Sequence, residues 1–178
     1  MKHLARRTLA LLSAAGVLAV SACSDSSTGP TPNSTMTQQE ALAVASGIAT
    51  EIGKASSAST TSVNVACTNG GKISGSANVT SNVNSAGTGS ITGSLTVTPE
   101  ACKVSNGTKL ITVGGQLTFD FSVTLNQNAL VSEVVHGKGN LTWDDGNCNI
   151  DYTVTVSPTT GHGSISGTFC GATLNATV

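Results

Sequence analysis

The sequence predicts a mainly β fold: an antiparallel meander of six or seven strands, strongly curved or barrel-like, packed with one N-terminal α-helix. Three observations lead there. From residue 62 onward Val, Ile and Thr alternate with Ser, Asn and Gly at a period of two, interrupted by turn-like clusters. One stretch, residues 37–52, carries its aliphatic side chains at helical spacing instead. The apolar phase of the strands also holds many small residues, among them Gly75, Ala77, Gly93, Gly115, Gly137 and Gly139, which permit curvature and close approach of a helix.

The first segment stands apart from this scheme. Lys2, Arg6 and Arg7 precede an apolar run over residues 9–20 that is too short to span a bilayer comfortably, the pattern of a cleavable signal peptide. The run ends in Val20-Ser21-Ala22-Cys23, an aliphatic residue, two small ones and a cysteine. This resembles the lipobox of bacterial lipoproteins, and the resemblance implies cleavage before Cys23 and a lipid on its sulfur. A membrane is then a partner through that anchor, and the cell envelope is the location, on the periplasmic or surface side. Residues 24–33 are rich in Ser, Thr, Gly and Pro and show no periodicity, as expected of a solvated tether. The expected organisation is a signal peptide over 1–22, a tether over 23–35 and one β-rich domain with its helix over 36–178.

The helix announces itself at its start. Thr37-Gln38-Gln39-Glu40 has the spacing of a capping box, in which threonine and glutamate satisfy free amides of the first turn. Leu42, Ala45, Ile48, Ala49 and Ile52 then form a narrow stripe. That stripe, with Val44, is the expected cover for one face of the sheet, and Glu51 is expected on the wet side.

The strands follow. The clearest covers residues 111–125, where odd positions are apolar or Gly and nearly all even ones polar. A turn at Asn126-Gln127-Asn128 sets Val123 opposite Val131 and Phe119 opposite Val135. A turn at Asp144-Asp145-Gly146-Asn147 sets Trp143 opposite Cys148, Leu141 opposite Ile150 and Tyr152 opposite Gly139. Residues 157–160 turn the chain again and set Tyr152 opposite Ile165 and Cys148 opposite Phe169. Residues 63–67, 73–83 and 91–97 supply the earlier strands. Residues 89–95 and 163–169 share an order of Gly, Ser, Ile and Gly, which convergent strand composition explains.

Four cysteines remain beyond Cys23, and an even number in an oxidising compartment implies two disulfides. The apolar phase switches from odd at Phe169 to even at Ala172, so a bulge at Cys170-Gly171 is expected to turn Cys170 inward beside Cys148. By exclusion Cys67 pairs with Cys102, whose loop must fold over one intervening strand.

Composition limits the function. After Cys23 five lysines face nine acidic residues, a formal charge of −4, so nucleic acid is excluded as a partner. No nucleophile elbow, phosphate loop or zinc-protease motif occurs. His136 and His162 are placed on the wet face flanking Thr155, with no carboxylate aligned between them. Asp145, Asn147, Asn149 and Asp151 alternate as in a calcium loop, but Gly146 falls in the wrong position and Val156 stands where the closing glutamate belongs. No cofactor, metal or catalytic residue is assigned. A structural or surface-interaction module that contacts envelope proteins is the leading expectation, and a binder of a small apolar ligand or lipid is the alternative, resting on Phe119, Phe121, Trp143 and Tyr152 lining the inner face.

Overall fold

A computed structural model of the chain describes residues 35–55, 62–144, 146–158 and 161–177. The signal peptide, Cys23 and the tether as far as residue 34, together with Asp145, lie outside the described residues. The elements are α1 (Gln38–Ala55), β1 (Ser62–Ala66), β2 (Lys72–Val83), β3 (Gly89–Glu100), β4 (Cys102–Ser105), β5 (Leu110–Asn126), β6 (Ala129–Trp143), β7 (Gly146–Ser157), β8 (His162–Phe169) and β9 (Ala172–Thr177). Every pairing is antiparallel, in the order β1-β2-β3-β5-β6-β7-β8-β9, with β4 on β5.

There are nine strands where the sequence counts six or seven, and the sheet does not close into a barrel. The two extra strands have separate causes. Ala101 has φ 51°, and four residues of the β3–β4 line, 98–101, lie against three of β5 between the pairs Val97–Leu117 and Cys102–Val113. β4 is thus β3 resumed past an extra residue, hidden in the sequence by Pro99, which suggests an end. At the other site, Cys170 (φ 48°) and Gly171 (φ 79°) form a two-residue hairpin turn, and Ala172 pairs directly with Phe169. The phase switch there comes from a chain reversal, not a bulge.

The registers around three turns differ from expectation by two residues. Gln127 and Asn128 both have positive φ, 51° and 63°, so the β5–β6 connection is a two-residue turn of primed type, followed by an irregularity beside Thr124 and Leu125. Phe119 therefore pairs with Gly137 and Phe121 with Val135. Trp143 pairs with Gly146, which sets Leu141 opposite Cys148 and Tyr152 opposite Gly137. Ile150 pairs with Phe169, and Val154 with Ile165. Because the side-chain period is two, a two-residue offset keeps residues on their expected faces, except at the β5–β6 irregularity, where Leu130 pairs with Leu125 and packs on the core in place of Val131.

That face forms the core. Ile73, Val97, Val113, Leu117, Val123 and Leu141 are fully buried, and Phe119, Phe121, Tyr152 and Phe169 pack among them. Gly137 makes room for Tyr152 and Phe119: a Cβ there would lie 2.9 Å from the tyrosine ring and 3.2 Å from the phenylalanine ring. Helix α1 joins the same cluster through Ala41, Val44, Ile48 and Ile52, with Met36 just before it. The buried stripe is rotated from the expected one, since Leu42 and Ala45 are only half-buried and Ala49 is not in the core. Gly47 explains the rotation. A Cβ at Gly47 would meet Val104 Cβ at 3.0 Å, so the glycine side of the helix rests on β4. The helix also touches β1 and β9, the two terminal strands of the pairing order.

Candidate functional site

The polar and covalent features of the fold concentrate at one end of the sheet, under the helix. The capping box forms as its residues dictate: Thr37 N–H donates to Glu40 Oε2 at 2.9 Å, and Glu40 N–H donates to Thr37 Oγ1 at 3.3 Å. Asn106, buried in the β4–β5 turn, donates to Glu40 Oε1 at 3.2 Å and accepts from the amides of Thr108 and Lys109. One asparagine thus orders its own turn and fastens the helix start to it. The only trace of this in the sequence is the turn-like run Ser105-Asn106-Gly107-Thr108.

The other end of the helix is fastened by Glu51, which is 6% exposed and not on the wet side as its place in the periodicity suggests. Its carboxylate accepts from Thr68 N–H at 3.2 Å, Thr68 Oγ1 at 2.7 Å and Lys54 Nζ at 2.7 Å, and Lys54 also donates to Thr68 Oγ1. Burial works to raise its pKa, but the Lys54 and Thr68 donors outweigh that and hold it below the ordinary carboxylate value. Glu51→Ala is expected to cost about 1–2 kcal/mol by removing the acceptor whose part-buried hydrogen bonds tie the helix end to Thr68. Thermal melts at pH 7 check this. Because the folded pKa is lowered, the contribution is present above the unfolded value near 4.5 and fades as pH falls through the folded one.

Both expected disulfides are present. Cys67 joins Cys102 with Cα atoms 5.7 Å apart, and Cys148 joins Cys170 with Cα atoms 4.8 Å apart. Lys103 N–H donates to Gly70 O, bringing the β1–β2 turn across to β4 as the first bridge requires. Cys170 N–H donates to Asn149 O, which seats the β8–β9 turn on β7, and Met36 N–H donates to Cys170 O. The chain therefore enters the fold beside the second disulfide, at the helix end.

The outward face carries a histidine–carboxylate contact and a lysine–aspartate ion pair. His136 Nε2 lies 2.7 Å from Asp151 Oδ1, and Lys138 Nζ lies 2.8 Å from Asp120 Oδ2. Lys138, then Ser94, hold the Asp120 carboxyl below its ordinary range. The two histidines do not flank Thr155 as expected. His136 pairs across from Thr153 and His162 from Ser157, four positions apart along β7, roughly 13 Å at strand rise. Asn147, Asn149 and Asp151 lie exposed along β7. Among the described residues no three His, Cys, Asp or Glu side chains gather into a metal site.

The inner face holds one surprise. Phe119, Phe121 and Tyr152 are buried there as expected, Trp143 is half-buried, and Phe169 stacks obliquely on Tyr152 with ring centres 5.9 Å apart. Glu133 shares this face, paired with Val123 on one side and Val156 on the other, and is 3% exposed. Its Oε1 has no hydrogen-bond partner among the described residues. Burial alone pushes its carboxyl up to about 7. The signal was available: Val131, Glu133 and Val135 share the odd, apolar phase of that strand, where a charge stands out.

Compared with known proteins, the chain matches no family model, no curated protein and no solved structure.

Proposed function

We propose that the chain is a non-catalytic lipoprotein of the bacterial envelope, held to a membrane by a lipid on Cys23, whose helix-capped sheet acts as a structural or surface-interaction module. The observation that carries this reading is the burial of Met36, Ala41, Val44, Ile48 and Ile52 in one cluster with the inner face of the sheet. A module packed in this way presents its outer surface, whereas a ligand container keeps its interior open. The contact of one helix with both terminal strands supports a sheet that curls strongly while remaining open. The outward face, of Thr, Ser and Asn with a few ion pairs, is the surface such a module offers to other envelope components.

The tether meets the module at a defined point. Thr35 lies against Gly171 at the helix end, and the twelve residues from Cys23 to Thr35 reach at most about 40 Å when extended. The tether therefore joins the domain at its disulfide-bearing end, opposite the β5–β6 turn.

Two measurements test the proposal. Cys23→Ala should release the protein on osmotic shock, whereas unchanged membrane association would rule out the lipid anchor. Native mass spectrometry of protein purified from its own host should show no small molecule held by the folded part. A retained apolar ligand would favour the container instead.

A further inference from the structure

Glu133 is the one charged side chain on the inward phase of the sheet among the described residues. Its neighbours on that face are Val123 and Leu125 of β5, Leu130 and Val135 of β6, and Val154 and Val156 of β7. Gly163 of β8 lies beyond Val156. None of these can pair with a carboxylate. The ionisable groups of the surrounding strands, Asp120, His136, Lys138, Asp151 and His162, all occupy the outward phase. Glu40 and Glu51 are engaged at the helix. Tyr152, the other titratable group on the inner face, is pushed up to about 12 by burial and stays neutral.

The position of Glu133 along the ladder matters as much as its surroundings. The Glu133–Val156 pair is the last rung between β6 and β7, and β6 beyond it pairs with β5 alone. The β5–β6 turn is itself braced, since Asn128 N–H donates to Gly87 O at 2.9 Å and Gln127 N–H donates to Thr88 Oγ1 at 3.1 Å. The β7–β8 side of the seam meets β6 through the ladder and through Ser157 Oγ, which donates to Val131 O at 3.5 Å. An ionised Glu133 must reach water, and it stands at the rung where the β6–β7 ladder ends.

We propose that Glu133 is a proton-controlled latch: protonated, it seals the last rung of the β6–β7 seam, and ionised, it unzips that seam and exposes the apolar inner face at the end of the module opposite the helix. The device goes beyond the structural reading and does not depend on the lipid anchor. The folded carboxyl titrates near 7, above its value of 4.5 in the open chain, so the sealing effect is complete below about 4.5 and is lost as pH rises through 7.

The test is amide hydrogen exchange of the whole mature chain at pH 5 and pH 8, corrected for intrinsic rates, alongside urea unfolding at both. In the wild type the folding constant should fall on the order of a hundredfold from pH 5 to pH 8 because of this group. The protection lost should concentrate in residues 153–157 and 162–166, with the Asn128 amide spared. Glu133→Gln, which keeps the shape and removes the charge, should lose both effects. Glu133→Leu serves the same purpose if the amide folds poorly. A pH dependence unchanged in these variants, or protection lost evenly over the sheet, would overturn the latch.

Discussion

Ile48→Asp is expected to unfold the protein at ordinary temperature or to lower its melting temperature by tens of degrees. Ile48 is 2% exposed and sits at the centre of the stripe Ala41, Val44, Ile48, Ile52 that joins the sheet's inner face. Removing its burial costs about 2–3 kcal/mol, and placing a carboxylate in the same space without a partner costs several more. Domains of this size have about 5–15 kcal/mol in all. Gln39→Ala, on the exposed side of the same helix, should shift stability by less than about 0.5 kcal/mol. Circular dichroism melts of both variants give the comparison. Equal, small effects would mean that in solution the helix is an exposed arm, and the packed-module reading would fall with it.

The parts of this fold that were legible are those governed by a period. Alternation placed Phe119, Phe121, Tyr152 and Leu141 on the buried face, and the turns shifted their registers by two residues without moving one of them to the other side. The parts that were not legible are those set by backbone conformation or by a neighbour distant in sequence. Positive φ at Gln127 and Asn128 shortened a turn, and neither residue announces that as a glycine would. Positive φ at Ala101 let the β3–β4 line continue past Pro99. The rotation of the helix depends on Gly47 meeting Val104, a contact 57 positions away that no periodicity encodes. Glu51 was misplaced for the same reason, since the Thr68 that draws it inward belongs to another element. The disulfide between Cys148 and Cys170 was found although the bulge expected to produce it is a hairpin, because both geometries turn Cys170 toward β7.

Replacing all four cysteines should cost nearly as much as Ile48→Asp, and the two bridges should contribute unequally. The sequence separations are 35 for Cys67–Cys102 and 22 for Cys148–Cys170, for which chain entropy gives about 3.8 and 3.4 kcal/mol respectively. Packing widens the difference. Cys148–Cys170 staples a turn to a strand that already holds it through the Cys170 N–H···O Asn149 bond and the β7–β8 ladder. Cys67–Cys102 joins the β1–β2 turn to β4, which are not neighbours in the ladder, and it lies where Thr68 holds Glu51 and Val104 supports Gly47. Without that bridge β4 keeps four pairs to β5, and the platform beneath the helix loosens. Urea midpoints should therefore fall for both paired alanine variants, with Cys67→Ala/Cys102→Ala the weaker protein and its helical signal lost at lower denaturant than the sheet signal. Peptide mapping without reduction should recover Cys67 linked to Cys102 and Cys148 to Cys170; Cys67 joined to Cys148 would contradict the register of the whole sheet. A difference between the two variants no larger than the chain-entropy difference of about 0.4 kcal/mol, with helix and sheet signals lost together, would show that the first bridge acts through chain entropy alone and does not support the helix.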